Sequence, residues 1–130
     1  MTWPAVFVVL VLSHLAGDFL LQTEWQALNK RGGLGPSRES RRALRNHALT
    51  YTLAFVPGLI WIALERGALL AAVLALAVTL PHAVIDDGRL LRSYMRDVKR
   101  CMRPAPALLV AVDQSFHLVM LLPVALLAAT

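Results

Sequence analysis

The chain has a single cysteine, Cys101. No intramolecular disulfide can form, and no cysteine-based metal motif exists. Charge is also scarce. Asp, Glu, Lys and Arg make up 16% of the 130 residues, against 58% that are hydrophobic. A soluble domain of this size cannot hide so much apolar surface. No basic n-region precedes the first apolar run, which therefore reads as a membrane helix rather than a cleaved signal. Few charges and many apolar residues leave the polytopic membrane class.

A membrane helix needs about 20 mostly apolar residues. Four stretches qualify, over residues 3–22, 46–64, 67–87 and 105–129. They predict one all-α integral membrane domain, a four-helix bundle without a separate extramembrane part. Trp3 and Pro4 suit the outer end of the first helix, and Trp25 suits the inner interface. Pro57-Gly58 should kink the second helix, and Pro81 should open the third locally.

The formal charge is +5, and its placement excludes nucleic acid as the natural partner. Lys30, Arg31, Arg38, Arg41, Arg42 and Arg45 lie between the first and second segments. Arg89, Arg92, Arg96, Lys99, Arg100 and Arg103 lie between the third and fourth. Only Arg66 lies between the second and third. The positive-inside rule then puts both basic loops in the cytoplasm and both termini outside. Residues 89–102 carry Leu90, Leu91, Tyr94, Met95, Val98 and Met102 on one helical face and cations on the other. That pattern predicts a basic amphipathic helix on the inner leaflet. Anionic membrane lipid is the expected partner, and homo-oligomer formation stays open.

Charge is rare inside the apolar segments, and where it occurs it has a pattern. His14 and Asp18 stand four apart in the first helix, His82 and Asp86 four apart in the third, and Asp113 and His117 four apart in the fourth. Residues at i and i+4 share a helix face. His47 opens the second helix. An ionised carboxylate at mid-membrane costs about 3 kcal/mol on the gentlest scale, so each needs a partner. The first and third helices both run inward and end in His-x-x-x-Asp, a weak internal repeat compatible with two parallel halves.

At about 1.5 Å of rise per residue, the seven His and Asp side chains span about 15 Å along the normal. One metal cannot collect them all, because its ligands lie about 2.0–2.2 Å away. Asp18, His82, Asp113 and His117 form the expected ligand set, with His14 and Asp86 as further ligands or supports. Imidazole favours Zn, Mn or Fe over Ca or Mg. His47, nearest the cytoplasm, reads as a proton shuttle. Gln22 and Gln114 read as packing or supporting donors. Ser115 has no activating partner, and Tyr51 and Trp61 read as bundle packing. Two other readings stay open. The same groups can bond helices together, or line a cation or proton path in a transporter.

The runs His14-Leu15-Ala16-Gly17-Asp18-Phe19-Leu20-Leu21-Gln22-Thr23, His82-Ala83-Val84-Ile85-Asp86 and Asp113-Gln114-Ser115-Phe116-His117, with His47 between them, carry a resemblance. The chain resembles the bacterial and phage membrane family called domain of unknown function 3307. The resemblance covers nearly the whole chain and implies a bacterial cytoplasmic membrane, but no activity. The family often has Lys after its third-segment Asp, where this chain has Asp87-Gly88-Arg89. A looser similarity, to small membrane-bound metal-dependent hydrolases, lies in His and Asp placed near helix ends. The leading functional reading of the residues is a metal-binding membrane protein, with hydrolysis of a lipid or headgroup ester by metal-bound water as its expected chemistry.

The topology is testable. A reporter fused after Thr130 should read as external; a cytoplasmic reading would reverse the orientation inferred from the cations.

Overall fold

A computed structural model describes all residues from Met1 to Thr130. The chain is helical throughout. α1 spans Trp3–Leu15, α2 Glu24–Asn29, α3 Arg38–Arg66, α4 Ala68–Asp86, α5 Arg89–Asp97 and α6 Pro106–Ala129. α1 (extended to Leu20), α3, α4 and α6 are long and apolar enough to cross a membrane. They form a ring, in which α1 packs on α3 and α6, and α4 packs on the same two helices.

The core runs along the ring axis. Val6 and Leu10 of α1 meet Phe55 and Ile62 of α3, Leu74 and Val78 of α4, and Leu121, Val124 and Ala125 of α6. The exterior is apolar as well: Leu12, Leu20, Leu53, Leu69, Leu76 and Val119 are all exposed. An apolar belt of this kind suits a lipid surround. At the end away from the basic loops, Gly67 turns the chain from α3 into α4 at φ 97°, a conformation glycine adopts readily.

The basic end departs from the simple pattern in three ways. First, α1 does not continue as an α-helix to residue 22. Ala16–Leu20 form a π turn, closed by Leu21 N–H donating to the Ala16 carbonyl at 3.0 Å. Such a turn inserts an extra residue and rotates the residues after it about the helix axis. Second, Thr23 and Gln26 form a capping box that starts α2, a helix too short for a hydrophobic pattern to announce. Third, α3 begins at Arg38, capped by Ser37, and not near residue 46. His47 therefore sits more than two turns inside a helix, and its side chain is fully buried.

Asp87 holds this end together. Its backbone carbonyl accepts from Gly32 N–H at 2.9 Å, and its carboxylate accepts from Leu34 N–H at 2.8 Å. Arg89 Nε lies 3.1 Å from the other carboxylate oxygen. The first basic loop is thus tied to the end of α4. α5 is shorter than residues 89–102 and lies against α4 and α6. Its Leu91 and Met95 are buried in the protein, while Leu90, Val98 and Met102 face outward. Only part of the amphipathic face is therefore free for lipid. Neither Pro57 nor Pro81 ends its helix.

Gly17 lets the π turn approach α3. A Cβ there would lie 2.7 Å from Tyr51 Cδ2 and 3.3 Å from Tyr51 Cα. Gly17→Ala should destabilise the fold by about 1–3 kcal/mol, the usual cost of overpacking. A thermal midpoint in detergent equal to wild type would contradict the close approach.

Candidate metal centre

Three segments deliver charge to one point. The π turn brings Asp18, α3 brings His47, and α4 brings His82 and Asp86. One donor atom from each lies within 4.8 Å of every other. His47 Nε2 is 3.0 Å from His82 Nε2, 2.9 Å from Asp86 Oδ2 and 3.3 Å from Asp18 Oδ1. His82 Nε2 is 3.0 Å from Asp86 Oδ2 and 3.8 Å from Asp18 Oδ1. Donors around a tetrahedral zinc ion stand about 3.3 Å apart, given bonds of about 2.0–2.1 Å. The observed spacings bracket that value. Small side-chain movements could close all four atoms on one transition-metal ion.

The unpaired atoms point the same way. Asp18 Oδ1, Asp86 Oδ1, His82 Nδ1 and His117 Nε2 are buried without a hydrogen-bond partner. Each such atom costs about 1–3 kcal/mol, and more when charged. His117 Nε2 stands 3.6 Å from Asp86 Oδ1. Its Nδ1 donates to the Asp113 carbonyl at 2.9 Å. That bond uses Nδ1 and leaves Nε2 as the free ring nitrogen on the side of Asp86, the nitrogen that a ligating histidine would offer. His117 stands beside the quartet, outside the group of four.

A polar network orients Asp18. The Gln114 amide nitrogen lies 3.4 Å from Asp18 Oδ2 and 3.3 Å from Asp113 Oδ2. With the amide so turned, its oxygen accepts from His14 Nε2 at 2.9 Å. His14 Nδ1 is then the acceptor for the Tyr51 hydroxyl at 3.1 Å. Both nitrogens of His14 are used, although its Nδ1 lies 3.8 Å from Asp18 Oδ2. Tyr51 also stacks on His82, with centroids 3.4 Å apart at 7°. Tyr51 thus forms one wall of the site.

The expected ligands sort accordingly. The structure groups Asp18, His82 and Asp86 with His47, which the sequence suggested as a shuttle. His117 stands beside them. His14 belongs to the supporting network. The Asp113 carboxylate is outside the quartet, half-buried in the wall of a cavity of about 220 Å³. Gln22 lines that cavity too, its amide nitrogen 3.4 Å from His47 Nε2. The cavity reaches the quartet at Asp18 and Asp86 and ends at Lys30, Arg31 and Gly88 in the basic loops.

Three participants escape a reading of the sequence. Tyr51 lies four residues after His47, a spacing that puts both on one face. Gly17 is one glycine in an apolar run. Lys30 resembles any other loop cation, yet its Nζ is 2.8 Å from Asp86 Oδ2 and its side chain is only 13% exposed. No local signal marks it, because the contact joins residues far apart in sequence.

Comparison with known proteins agrees with the resemblance. A family profile described as "Protein of unknown function (DUF3307)" matches residues 6–130, and the chain belongs to that family. No curated protein and no solved structure gives a significant match.

Lys30 holds its charge on Asp86 Oδ2, an oxygen that a metal ion in the quartet would also use, so the two would compete. Lys30→Gln should tighten zinc binding roughly tenfold, the effect of removing one like charge at such a distance. Titration against a fluorescent chelator measures it. Weaker binding in the variant would make Lys30 a support of the ligand geometry rather than a competitor.

Proposed function

We propose, for a member of a family without assigned chemistry, that this protein is a membrane-embedded metal-dependent hydrolase acting on an ester bond of a lipid or lipid headgroup. The observation that carries the reading is the convergence of Asp18, His47, His82 and Asp86, whose donor atoms lie within 4.8 Å of one another, with buried atoms of Asp18, His82 and Asp86 left without a hydrogen-bond partner. A mixed imidazole and carboxylate set suits Zn, Mn or Fe. Such an ion supplies Lewis acidity and lowers the pKa of water.

The surrounding residues have roles to match. Asp113 stands in the cavity wall without joining the quartet, well placed to accept a proton. Lys30 and Arg31 line the same cavity and suit the negative charge of a headgroup. Gln114, His14 and Tyr51 hold Asp18 in position. The cation distribution supports a cytoplasmic placement for this end of the bundle.

Two competing readings fit less well. A transporter needs a polar path to the other face, and beyond the site the ring axis is filled by Leu10, Phe55, Leu74, Val78 and Leu121. Interhelical bonding alone leaves four buried atoms unpaired, which a bonding network has no reason to do.

Elemental analysis of detergent-purified protein tests the reading. Wild type near pH 7.5 should carry about one transition-metal ion per chain. Asp18→Asn, Asp86→Asn, His47→Ala and His82→Ala should each lower that to roughly a tenth, since Asn replaces a carboxylate that zinc-type sites prefer. Asp113→Asn should keep its metal and lose ester hydrolysis. Uptake should weaken below about pH 6.5, where imidazole takes a proton instead. A wild-type protein that neither carries nor takes up a transition metal would overturn the metal and the hydrolase together.

A further inference from the structure

A second cavity adjoins the first. It measures about 380 Å³ and lies between α5, the start of α6 and the first basic loop. Arg31 and Gly88 belong to the walls of both cavities. The second cavity divides by chemistry. Leu91, Met95, Met102 and Leu109 give it an apolar wall, and Arg31 and Arg92 stand at the side shared with the first cavity.

These two arginines differ from their neighbours. Arg89 is held by Asp87 at 3.1 Å. Arg96 is held by Asp97 at 2.7 Å. Its hydrogen bond, with that of Ser93, pulls the Asp97 carboxyl down to about 2. Arg31 and Arg92 have no carboxylate partner, yet both crowd the same glycine. From the point where a Gly88 side chain would begin, Arg92 Nη1 is 3.2 Å away and Arg31 Cγ 3.5 Å. Gly88 itself has φ 77°, which keeps this point free of a side chain. The atoms nearest Gly88 are the Arg92 guanidinium and the Arg31 stem, and both arginines line the cavity with no carboxylate partner; such a pair suits a phosphate, whose oxygens accept guanidinium N–H donors.

We propose that this cavity binds a phosphate-bearing acyl amphiphile, with its phosphate between Arg31 and Arg92 and its chain along Leu91, Met95, Met102 and Leu109. The site has one charged and one apolar half, and only a molecule with both fills it. The shared wall at Arg31 and Gly88 then sets the headgroup at the mouth of the cavity that leads to Asp18 and Asp86. As a substrate class, this rests on the hydrolase reading; as a binding site, it needs no metal. A free phosphate would use the arginines alone. A neutral lipid would use the apolar wall alone.

Native mass spectrometry of the full chain, released from a neutral detergent in EDTA, tests it. The probes are lysophosphatidic acid, monoacylglycerol with the same chain, and glycerol phosphate. Lysophosphatidic acid should bind at one tight equivalent, with the other two at least about tenfold weaker. Each methylene removed from its chain should weaken binding by up to about fourfold, the value of about 0.8 kcal/mol per buried CH₂. Arg31→Gln with Arg92→Gln should cost at least about tenfold. Arg41→Gln with Arg45→Gln, on the exposed face of α3, should change binding less than about twofold. Arg31 and Arg92 hold no ion pair in the fold, so the first pair should keep its helical circular dichroism. Equal loss in both pairs would reduce the site to general basic attraction. Glycerol phosphate binding as well as the lysolipid would leave a phosphate site without a chain groove. Unchanged binding in the Arg31 and Arg92 variant would overturn the site itself. Because metal is removed throughout, none of these outcomes depends on whether the metal centre exists.

Discussion

Two carboxylates, Asp18 and Asp86, are buried at one end of an otherwise apolar bundle, and the rest of the architecture answers to them. A charge removed from water must be paired or bonded, or the fold loses several kcal/mol. Neither carboxylate finds its partners on its own helix alone. Asp86 meets Lys30 from the first basic loop, His47 from α3 and His82 one turn back. Asp18 meets His47 and the Gln114 amide from α6. Three of the four long helices, α3, α4 and α6, therefore contribute to compensating the pair. The loop is drawn in as well, because Asp87 ties it to the end of α4 and brings Lys30 within reach.

The compensation is incomplete, and the incompleteness is ordered. Asp86 Oδ2 has three close partners while its Oδ1 has no hydrogen bond, and Asp18 has only the long contacts of His47 at 3.3 Å to Oδ1 and Gln114 at 3.4 Å to Oδ2. Histidines that serve only as interhelical bonds place both ring nitrogens, as His14 does between Tyr51 and Gln114. His117 places one on a backbone carbonyl and leaves the other facing Asp86. Two histidines of similar burial thus follow different rules within one bundle. The first rule builds structure. The second leaves a ring nitrogen free on the side of the quartet, as a supporting ligand would.

Much of this was legible in the sequence, because spacing along a helix is a local property. The three His–Asp pairs at i and i+4, the four apolar stretches and the two basic loops all come from periods and runs. What stayed hidden depended on contacts between distant segments. The π turn at Ala16–Leu20 carries Asp18 beside His47 and His82, and within it Gly17 lies close against Tyr51, a contact between segments that no local propensity announces. His47 looked peripheral because the apolar run begins there. The helix itself begins at Arg38, with a polar first part, and so carries His47 inward. Asp113 and His117 share a helix face, yet the ring nitrogen of His117 takes the Asp113 carbonyl and the carboxylate is left to the cavity. Periodicity gives the face, and it does not give which atom on that face finds a partner.

The charge count at the quartet connects site and cavity. Two carboxylates bring two negative charges, and Lys30 returns one. A divalent ion in the quartet would balance both by itself. Lys30 would then be a surplus cation 2.8 Å from an oxygen already neutralised. Its side chain is long and partly exposed, and it lines the cavity that also holds Arg31. Release of Lys30 from Asp86 would raise the positive potential there in proportion to occupancy of the quartet. Anion affinity in the cavity and metal affinity in the quartet would then be linked through one side chain, and each would strengthen the other by the same factor. An arrangement that only pinned helices together would have no such coupling, because its cation would have nowhere else to go.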